Sequence, residues 1–187
     1  MINKNVMGSI PLSGARIKLT ALHTEDLPLL QVFFSDMVAL SWYLPTTARP
    51  MNLKQLDKLL TEWNDGISCF VFAVRVEDRL IGLINLDDVD FVNSHAEIGI
   101  ALTDYNSRGQ GLAKEAIETL INYAFAELGL HRIWARIIAG NDASINLFAS
   151  VGFKLEGKMR QHVRRHGEWL DMTVWGLLNN DCADMKD

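Results

Sequence analysis

The most informative part of this chain is the segment Asn106-Ser107-Arg108-Gly109-Gln110-Gly111-Leu112-Ala113-Lys114-Glu115-Ala116. An apolar strand over residues 98–102 precedes it, and a helical period of apolar residues follows it. Glycines allow backbone N–H groups to turn inward, and the first turn of a helix offers unpaired donors and the positive end of its dipole. The segment therefore predicts an anion site, for which a phosphate is the natural ligand.

Two common phosphate motifs do not fit this segment. A P-loop requires Gly-Lys followed by Ser or Thr, and a dinucleotide fingerprint requires a third glycine where Lys114 and Glu115 stand. The pattern Arg/Gln-x-x-Gly-x-Gly/Ala does fit, as Arg108-Gly109-Gln110-Gly111-Leu112-Ala113. This pattern resembles the acetyl-CoA pyrophosphate loop of the GNAT N-acetyltransferases.

The composition is that of a globular protein without a nucleic-acid surface. The chain has 187 residues, with 49% hydrophobic and 22% charged residues and a net charge of −5. The acidic balance favours cationic small molecules or basic peptides as partners. Cys69 and Cys182 are too few and too far apart for a zinc site or a disulfide framework, and no segment approaches about 18 uninterrupted apolar residues. We expect a cytoplasmic protein of bacterial type with no nucleic-acid or membrane partner.

The hydrophobic periods predict an N-terminal arm over residues 1–14, a single domain over 15–178 and a tail over 179–187. Their order predicts an α+β fold with a mixed central sheet flanked by helices. The predicted elements are a strand over 15–22, helices from Thr24 and Asn52, antiparallel strands over 70–76, 80–89 and 95–102, a helix over 111–128, a strand over 131–138, a short helix capped by Asn141 and Asp142, and a hairpin over 153–165 and 169–178.

A second block supports the resemblance, and it is more specific than the loop. It is Asn141-Asp142-Ala143-Ser144-Ile145-Asn146-Leu147-Phe148-Ala149-Ser150-Val151-Gly152-Phe153-Lys154-Leu155-Glu156-Gly157. It resembles the family segment Asn-x-x-Ser/Ala-x-x-x-Tyr-x-x-x-Gly-Phe-x-x-Glu-Gly. The pieces at 96–100 and 167–171 resemble the branch of ribosomal-protein alanine and spermidine N-acetyltransferases. The resemblance covers nearly the whole chain and implies a GNAT-like three-layer fold.

The resemblance implies acetyl-CoA as cosubstrate and no metal. In the family, two parallel strands, here over 97–102 and 131–138, splay apart and receive the pantetheine arm between them. The implied cofactor-binding residues are Ile100, Ala101 and Leu102 for the arm, Arg108, Gly109, Gln110, Gly111, Leu112 and Ala113 in the pyrophosphate loop, Asn141 for the arm, and Phe148, whose ring packs against the cofactor.

The chain departs from the family at the groups that move protons. Phe148 stands where many members have a tyrosine that protonates the departing thiolate. Ser144 matches a serine that the ribosomal-alanine branch uses as donor, although a serine there also suits a helix cap. A glutamate that this branch uses as base falls at Val163. We predict Ser144 as acid and Glu97 as a base acting through water, with an ion pair as the alternative role of Glu97.

Other polar and aromatic residues leave alternatives open. Asp87, Asp88 and Asp90 either attract a cationic amine or form a solvated strand end. The aromatic stretch over residues 39–45 joins two predicted helices and is either the wall of an acceptor pocket or a packed helix end. The further candidate bases are His95, Asp87, His162 and Asp171.

The predicted activity is acetyl transfer from acetyl-CoA directly to a primary amine, either a protein N-terminus such as ribosomal-protein alanine or a polyamine-like small molecule. Phe148 and Val163 motivate one alternative, a CoA-binding or sensing module with weak turnover. A domain that serves interaction alone is a further alternative. The strands of the final hairpin are expected to be exposed, which allows pairing in a homodimer.

Overall fold

A computed structural model describes residues 12–44 and 49–183, with side chains described up to residue 181. The predicted arm over residues 1–14 and the predicted tail over 179–187 therefore lie partly outside the described residues, as does Pro45. The strands are β1 (Lys18–Thr20), β2 (Phe70–Val76), β3 (Arg79–Asp90), β4 (His95–Leu102), β5 (Arg132–Ile138), β6 (Lys154–Arg165) and β7 (Glu168–Leu178). The helices are α1 (Leu27–Ser35), α2 (Met37–Tyr43), α3 (Leu53–Trp63), α4 (Leu112–Ala126), α5 (Asp142–Val151) and α6 (Asn179–Ala183), with short 3-10 turns at Thr24–Asp26 and Tyr105–Ser107.

The strands form one mixed sheet of seven in the order β1-β2-β3-β4-β5-β7-β6. All neighbours are antiparallel except β4 and β5, which are joined by the crossover helix α4 and run parallel. Apolar side chains of α4 and α5 pack on one face of the sheet, and those of α1, α2 and α3 pack on the other. The predicted α+β fold with a central mixed sheet between helical layers is confirmed.

The parallel pair β4 and β5 separates soon after it begins. Only His95, Ala96 and Glu97 have partners on β5, although β4 continues to Leu102 and β5 to Ile138. Beyond Glu97, β4 therefore has no strand beside it on the β5 side. This is the splay that the sequence predicted, and it opens a gap in the sheet.

Helix α2 was not predicted, because its residues were interpreted as a link between helices. Asp36 begins it: its carboxylate accepts hydrogen bonds from the N–H groups of Val38 and Ala39 at 3.0 and 3.1 Å. Leu40 is fully buried against α1 and α3, which draws this short turn into the core. The helix brings Trp42 and Tyr43 to the open part of the sheet.

Two element boundaries also differ from the prediction. Strand β1 is shorter because the chain before it folds back, with Gly14 N donating to Ile17 O at 2.9 Å. Helix α4 begins at Leu112 because Gly111 has φ 77°, a left-handed conformation that no helix interior contains. No helix among the described residues is long and apolar enough to cross a membrane.

Candidate active site

The glycine loop lies between β4 and α4 and is braced on both sides. Gly109 and Gly111 have φ values of 73° and 77°, which explains why both positions are glycine. Arg16 donates to the carbonyl of Gln110 at 3.0 Å, and Arg108 donates to the carbonyl of Leu102 at 2.9 Å. These contacts hold the loop in one conformation, with the N-terminus of α4 at its end. The geometry is that of a preformed anion site.

A large cleft of about 880 Å³ runs from this loop along the unpaired end of β4 to the segment that follows β5. Helices α2 and α5 form its sides. It is polar at the loop and apolar along the strands, which suits a ligand that is charged at one end only. Among the predicted cofactor-binding residues, those that line it are Ile100, Ala101, Leu102, Arg108, Gly109, Gly111, Leu112, Ala113 and Asn141.

Two predicted cofactor residues, Gln110 and Phe148, do not line the large cleft, although Gln110 stays in the glycine loop, where the prediction uses its backbone N–H. The side chain of Gln110 turns back to donate to the Asn106 carbonyl at 2.7 Å. Phe148 is 4% exposed, and its ring contacts Phe153 edge-on at 5.0 Å between centroids. It lines a second, smaller cleft and not the large one. Its ring therefore belongs to the core beneath the second cleft.

The small cleft, of about 110 Å³, adjoins the large one. Both predicted catalytic residues, Ser144 and Glu97, line it. The two clefts meet at the residues that they share, which are Trp42, Tyr43, Ile100, Asn141 and Ser144. A donor in the large cleft and an acceptor in the small one would come together at this junction.

Ser144 lies on the first turn of α5, where its side chain reaches both clefts. The residue that caps this helix is Asn141, whose Oδ1 accepts from the Ser144 N–H at 3.3 Å. Because Asn141 supplies the cap, the Ser144 hydroxyl is not needed for it. Sequence reasoning had left the capping role of Ser144 open.

Glu97 forms a two-pronged ion pair with Arg136. Nε and Nη2 of Arg136 donate to its two carboxylate oxygens at 2.9 and 2.7 Å. The hydrogen bonds that Arg136 donates to Glu97 raise the pKa of its guanidinium, so Arg136 stays charged. The ion pair is the role that the sequence had offered as the alternative to catalysis, and each carboxylate oxygen keeps one more lone pair for a water.

The other candidate bases differ in position. His95, His162 and Asp171 line neither cleft, and Asp171 pairs with Lys158 at 2.6 Å. Val163 stands at the position where the resemblance places a glutamate base. Its side chain is buried against Ile138 and Met172 and has no carboxylate. Asp87 does line the small cleft.

Asp87 belongs to a network that sequence reasoning largely missed. Its carboxylate accepts from Trp63 Nε1 at 2.5 Å and from Asn85 Nδ2 at 2.6 Å, and Asn85 Oδ1 accepts from the Tyr43 hydroxyl at 3.2 Å. Burial raises the pKa of Asp87 to about 6. The signal in the sequence was the polar pair Asn85 and Asp87 on one face of an otherwise apolar strand.

A second contact missed from sequence ties the final hairpin to α2. Arg165, at the end of β6, donates from Nε to the Ser41 carbonyl at 2.6 Å and from Nη2 to the Leu44 carbonyl at 2.8 Å. These carbonyls lie at the C-terminal end of α2, where a cation is favoured. The contact fixes Trp42 and Tyr43 over the small cleft.

Histidine, cysteine, aspartate and glutamate side chains are the usual ligands of a metal ion in proteins. Within 12–44 and 49–183, no three of them are arranged to hold a metal ion.

Residues 16–154 match the family model described as the acetyltransferase (GNAT) domain. The uncharacterized N-acetyltransferase p20 of Bacillus licheniformis is 30% identical over 178 residues, which are 88% of this chain and 99% of that protein. The putative ribosomal N-acetyltransferase YdaF of Bacillus subtilis is 35% identical over 110 residues, covering 59% of this chain and 60% of that protein.

The spermidine N(1)-acetyltransferase of Vibrio cholerae is 29% identical over 93% of this chain and 99% of its own length. A solved structure of spermidine N-acetyltransferase from Vibrio cholerae, in complex with CoA and spermine, has a TM-score of 0.79 at 22% identity, covering 89% of this chain and 98% of that one. At that identity the overlay establishes the fold. With the matching loop, the splayed strands and the family model together, this chain belongs to the GNAT acetyltransferase family and is an N-acetyltransferase.

Proposed function

We propose that this protein transfers the acetyl group of acetyl-CoA directly to a primary amine. The observation that carries the proposal is the junction of the two clefts beside Ile100 and Ser144. One cleft ends at a preformed anion loop and the other contains carboxylates, as a bound thioester and an amine would require.

The large cleft binds the donor along its length. The pyrophosphate accepts hydrogen bonds from N–H groups over residues 109–113 at the start of α4. The amides of the pantetheine arm pair with the backbone of Ile100, Ala101 and Leu102, because β5 no longer occupies that edge of β4. Asn141 lines the same part of the cleft. This arrangement brings the thioester to the junction.

Transfer requires a neutral amine and a proton for the departing sulfur. The amine nitrogen attacks the thioester carbonyl, the C–N bond forms, the C–S bond breaks, and the thiolate takes a proton from the Ser144 hydroxyl. The proton lost by the amine passes through a water to Glu97 and from there back to the Ser144 oxygen, which restores both groups for the next turnover. Positioning at the junction supplies much of the rate, since the thiolate is a tolerable leaving group.

The acceptor is a protein N-terminus or a polyamine-like small molecule. Two relatives, a putative ribosomal N-acetyltransferase and a spermidine N(1)-acetyltransferase, support these two classes. The carboxylates of the small cleft favour a cationic acceptor in either case. The catalytically weak CoA-binding module stays the second candidate, because Phe148 brings no proton donor to the junction.

The test is CoA release, followed with a thiol reagent, across alanine- and serine-starting peptides, spermidine and spermine. Calorimetric titration of CoA is run in parallel on the same protein. Turnover on one acceptor class supports the proposal and names that class. CoA binding without turnover on any amine indicates the sensing module, and absence of CoA binding overturns both functions.

A further inference from the structure

The carboxylate of Asp87 is held in a fixed orientation on the floor of the small cleft. Trp63 Nε1 donates to its Oδ1 at 2.5 Å, and Asn85 Nδ2 donates to its Oδ2 at 2.6 Å. Two donors on two different oxygens prevent rotation of the carboxylate plane. The remaining lone pairs are available to a ligand in the cleft.

The donors are themselves fixed by the fold. Asn85 is 1% exposed, and its Oδ1 accepts from the Tyr43 hydroxyl at 3.2 Å, which turns its Nδ2 toward Asp87. Asn85 faces Gly99 across the sheet, and a Cβ at position 99 would lie 2.8 Å from Asn85 Oδ1. The network therefore requires a glycine at this point of β4. Because Asn85 and Asp87 are both held by hydrogen bonds, the polar site is already ordered before a ligand binds.

Within the described parts of the chain Asp87 forms no direct ion pair, although Arg136 lies near enough to interact with it electrostatically. Its polar neighbours are Trp63, Asn85, Cys69 and two further carboxylates, those of Glu97 and Asp88. The arginine of the cleft, Arg136, is engaged by Glu97. Burial and the nearby carboxylates raise the pKa of Asp87 to about 6, so its charge at neutral pH is costly. A bound cation would remove that cost.

Aromatic rings surround the same place. Tyr43 and Trp63 line the cleft with ring centroids 6.0 Å apart and planes tilted by 55°, and Trp42 adds a third ring. Aromatic faces attract organic cations, and they also cover the apolar stem of an alkylammonium ion. A carboxylate beside such faces repels anions and disfavours neutral polar groups.

We propose that Asp87, Tyr43 and Trp63 form a subsite for a second, non-reacting ammonium group of the acceptor. Ile100 at the junction pairs with Ile84, and Asp87 lies three residues farther along β3. Asp87 itself pairs with Glu97, so it lies beside the proposed base, and the group that it holds as a cation cannot be the attacking amine, which must be neutral. The inference rests on the proposed function, because it assumes that the acceptor enters the small cleft.

Binding is tested without turnover by titrating tetramethylammonium chloride into the CoA-saturated protein and following tryptophan NMR signals. This ion cannot be acetylated, so its binding does not depend on the reaction. The wild type and Asp88→Asn bind it, whereas Asp87→Asn binds it at least about tenfold more weakly. Asp88 is the matched control, since it is an exposed neighbouring carboxylate outside both clefts. Failure of the wild type to bind, or equal binding by Asp87→Asn, overturns the subsite.

Turnover supplies a second readout. Straight-chain diamines from diaminobutane to diaminooctane are compared with monoamines of equal length. The wild type is expected to favour a diamine by about tenfold in kcat/KM; Asp87→Asn is expected to lose that preference, and Asp88→Asn is expected to keep it. A preference unchanged in Asp87→Asn contradicts the proposal. Ammonium binding that depends on Asp87 without acetylation of any amine leaves the subsite standing and removes the proposed function.

Discussion

Arg136 donates two hydrogen bonds to the Glu97 carboxylate, at 2.9 and 2.7 Å, at the point where β4 and β5 separate. Glu97 is the last residue of β4 that pairs with β5, and its partner there is Trp134. The ion pair therefore closes the paired part of the two strands and lines the small cleft beyond it. The carboxylate that we propose as base is therefore held at the point where the sheet opens.

Glu97→Gln is expected to lower kcat by about a hundredfold, because an amide cannot accept the amine proton. The KM for acetyl-CoA should stay within about twofold, since Glu97 does not line the large cleft. Steady-state kinetics measure both. The control is Glu156→Gln, which breaks the similar two-pronged pair of Glu156 with Arg132 outside both clefts. Equal kcat values for the two variants would assign Glu97 a structural role alone.

Ser144→Ala is expected to reduce kcat by about a hundredfold through loss of the proton donor. Adding Phe148→Tyr to this variant is expected to recover part of the rate, because a phenol would then face the small cleft that the ring lines. Pre-steady-state CoA release in the single and double variants checks this. Undiminished turnover in Ser144→Ala would exclude the serine as donor.

Gly111→Ala is expected to weaken CoA binding by at least about tenfold and to destabilise the fold by about 1 kcal/mol. An alanine at φ 77° is strained, and relief of that strain moves the loop N–H groups. Calorimetric CoA titration and urea unfolding measure the two effects. Gly66→Ala introduces the same strain at φ 68° in a turn outside both clefts, so it should lose stability and keep its CoA affinity.

Arg165→Met is expected to raise the KM for the amine by about tenfold and to leave CoA affinity unchanged. The variant loses both hydrogen bonds to the end of α2, and Trp42 and Tyr43 then lose their fixed position over the small cleft. Arg164→Met is the control, because Arg164 has the same charge and is exposed on the same strand. Similar amine KM values for both variants would refute this role of the contact.

Asp87→Asn is expected to gain stability relative to the wild type by about 1 kcal/mol as the pH rises from 5 to 8. Burial raises the folded pKa of Asp87 to about 6 from the ordinary value of 3.8, so the folded state binds its proton more tightly than the unfolded state does. Wild-type stability therefore falls as pH rises from about 4 to above 6, and this loss is absent from the variant. Urea unfolding from pH 5 to pH 8 checks the difference, with Asp88→Asn as reference. If the unfolding free energy of Asp87→Asn does not rise relative to that of the wild type as the pH increases, the raised pKa of Asp87 is contradicted.

The loop and helix ends could be predicted because their causes are local. Gly109 and Gly111 signal backbone conformations that other residues avoid, and Asn141 caps α5 within three residues of its own position. The apolar periods fix which face of each element is buried, and hence the layers of the fold. Helix α2 escaped prediction because its formation depends on burial of Leu40 against α1 and α3.

The sequence by itself determined the fold, the family and the conformation of the glycine loop, since each follows from residues close together in the chain. Only the tertiary structure decided which polar groups meet in the small cleft. It joined Glu97 to Arg136, Asp87 to Trp63, and Arg165 to the end of α2, across separations of 39, 24 and 121 to 124 residues. Such contacts depend on strand register and on the packing of helices against the sheet, and a shift of one residue in register would turn each strand side chain to the opposite face.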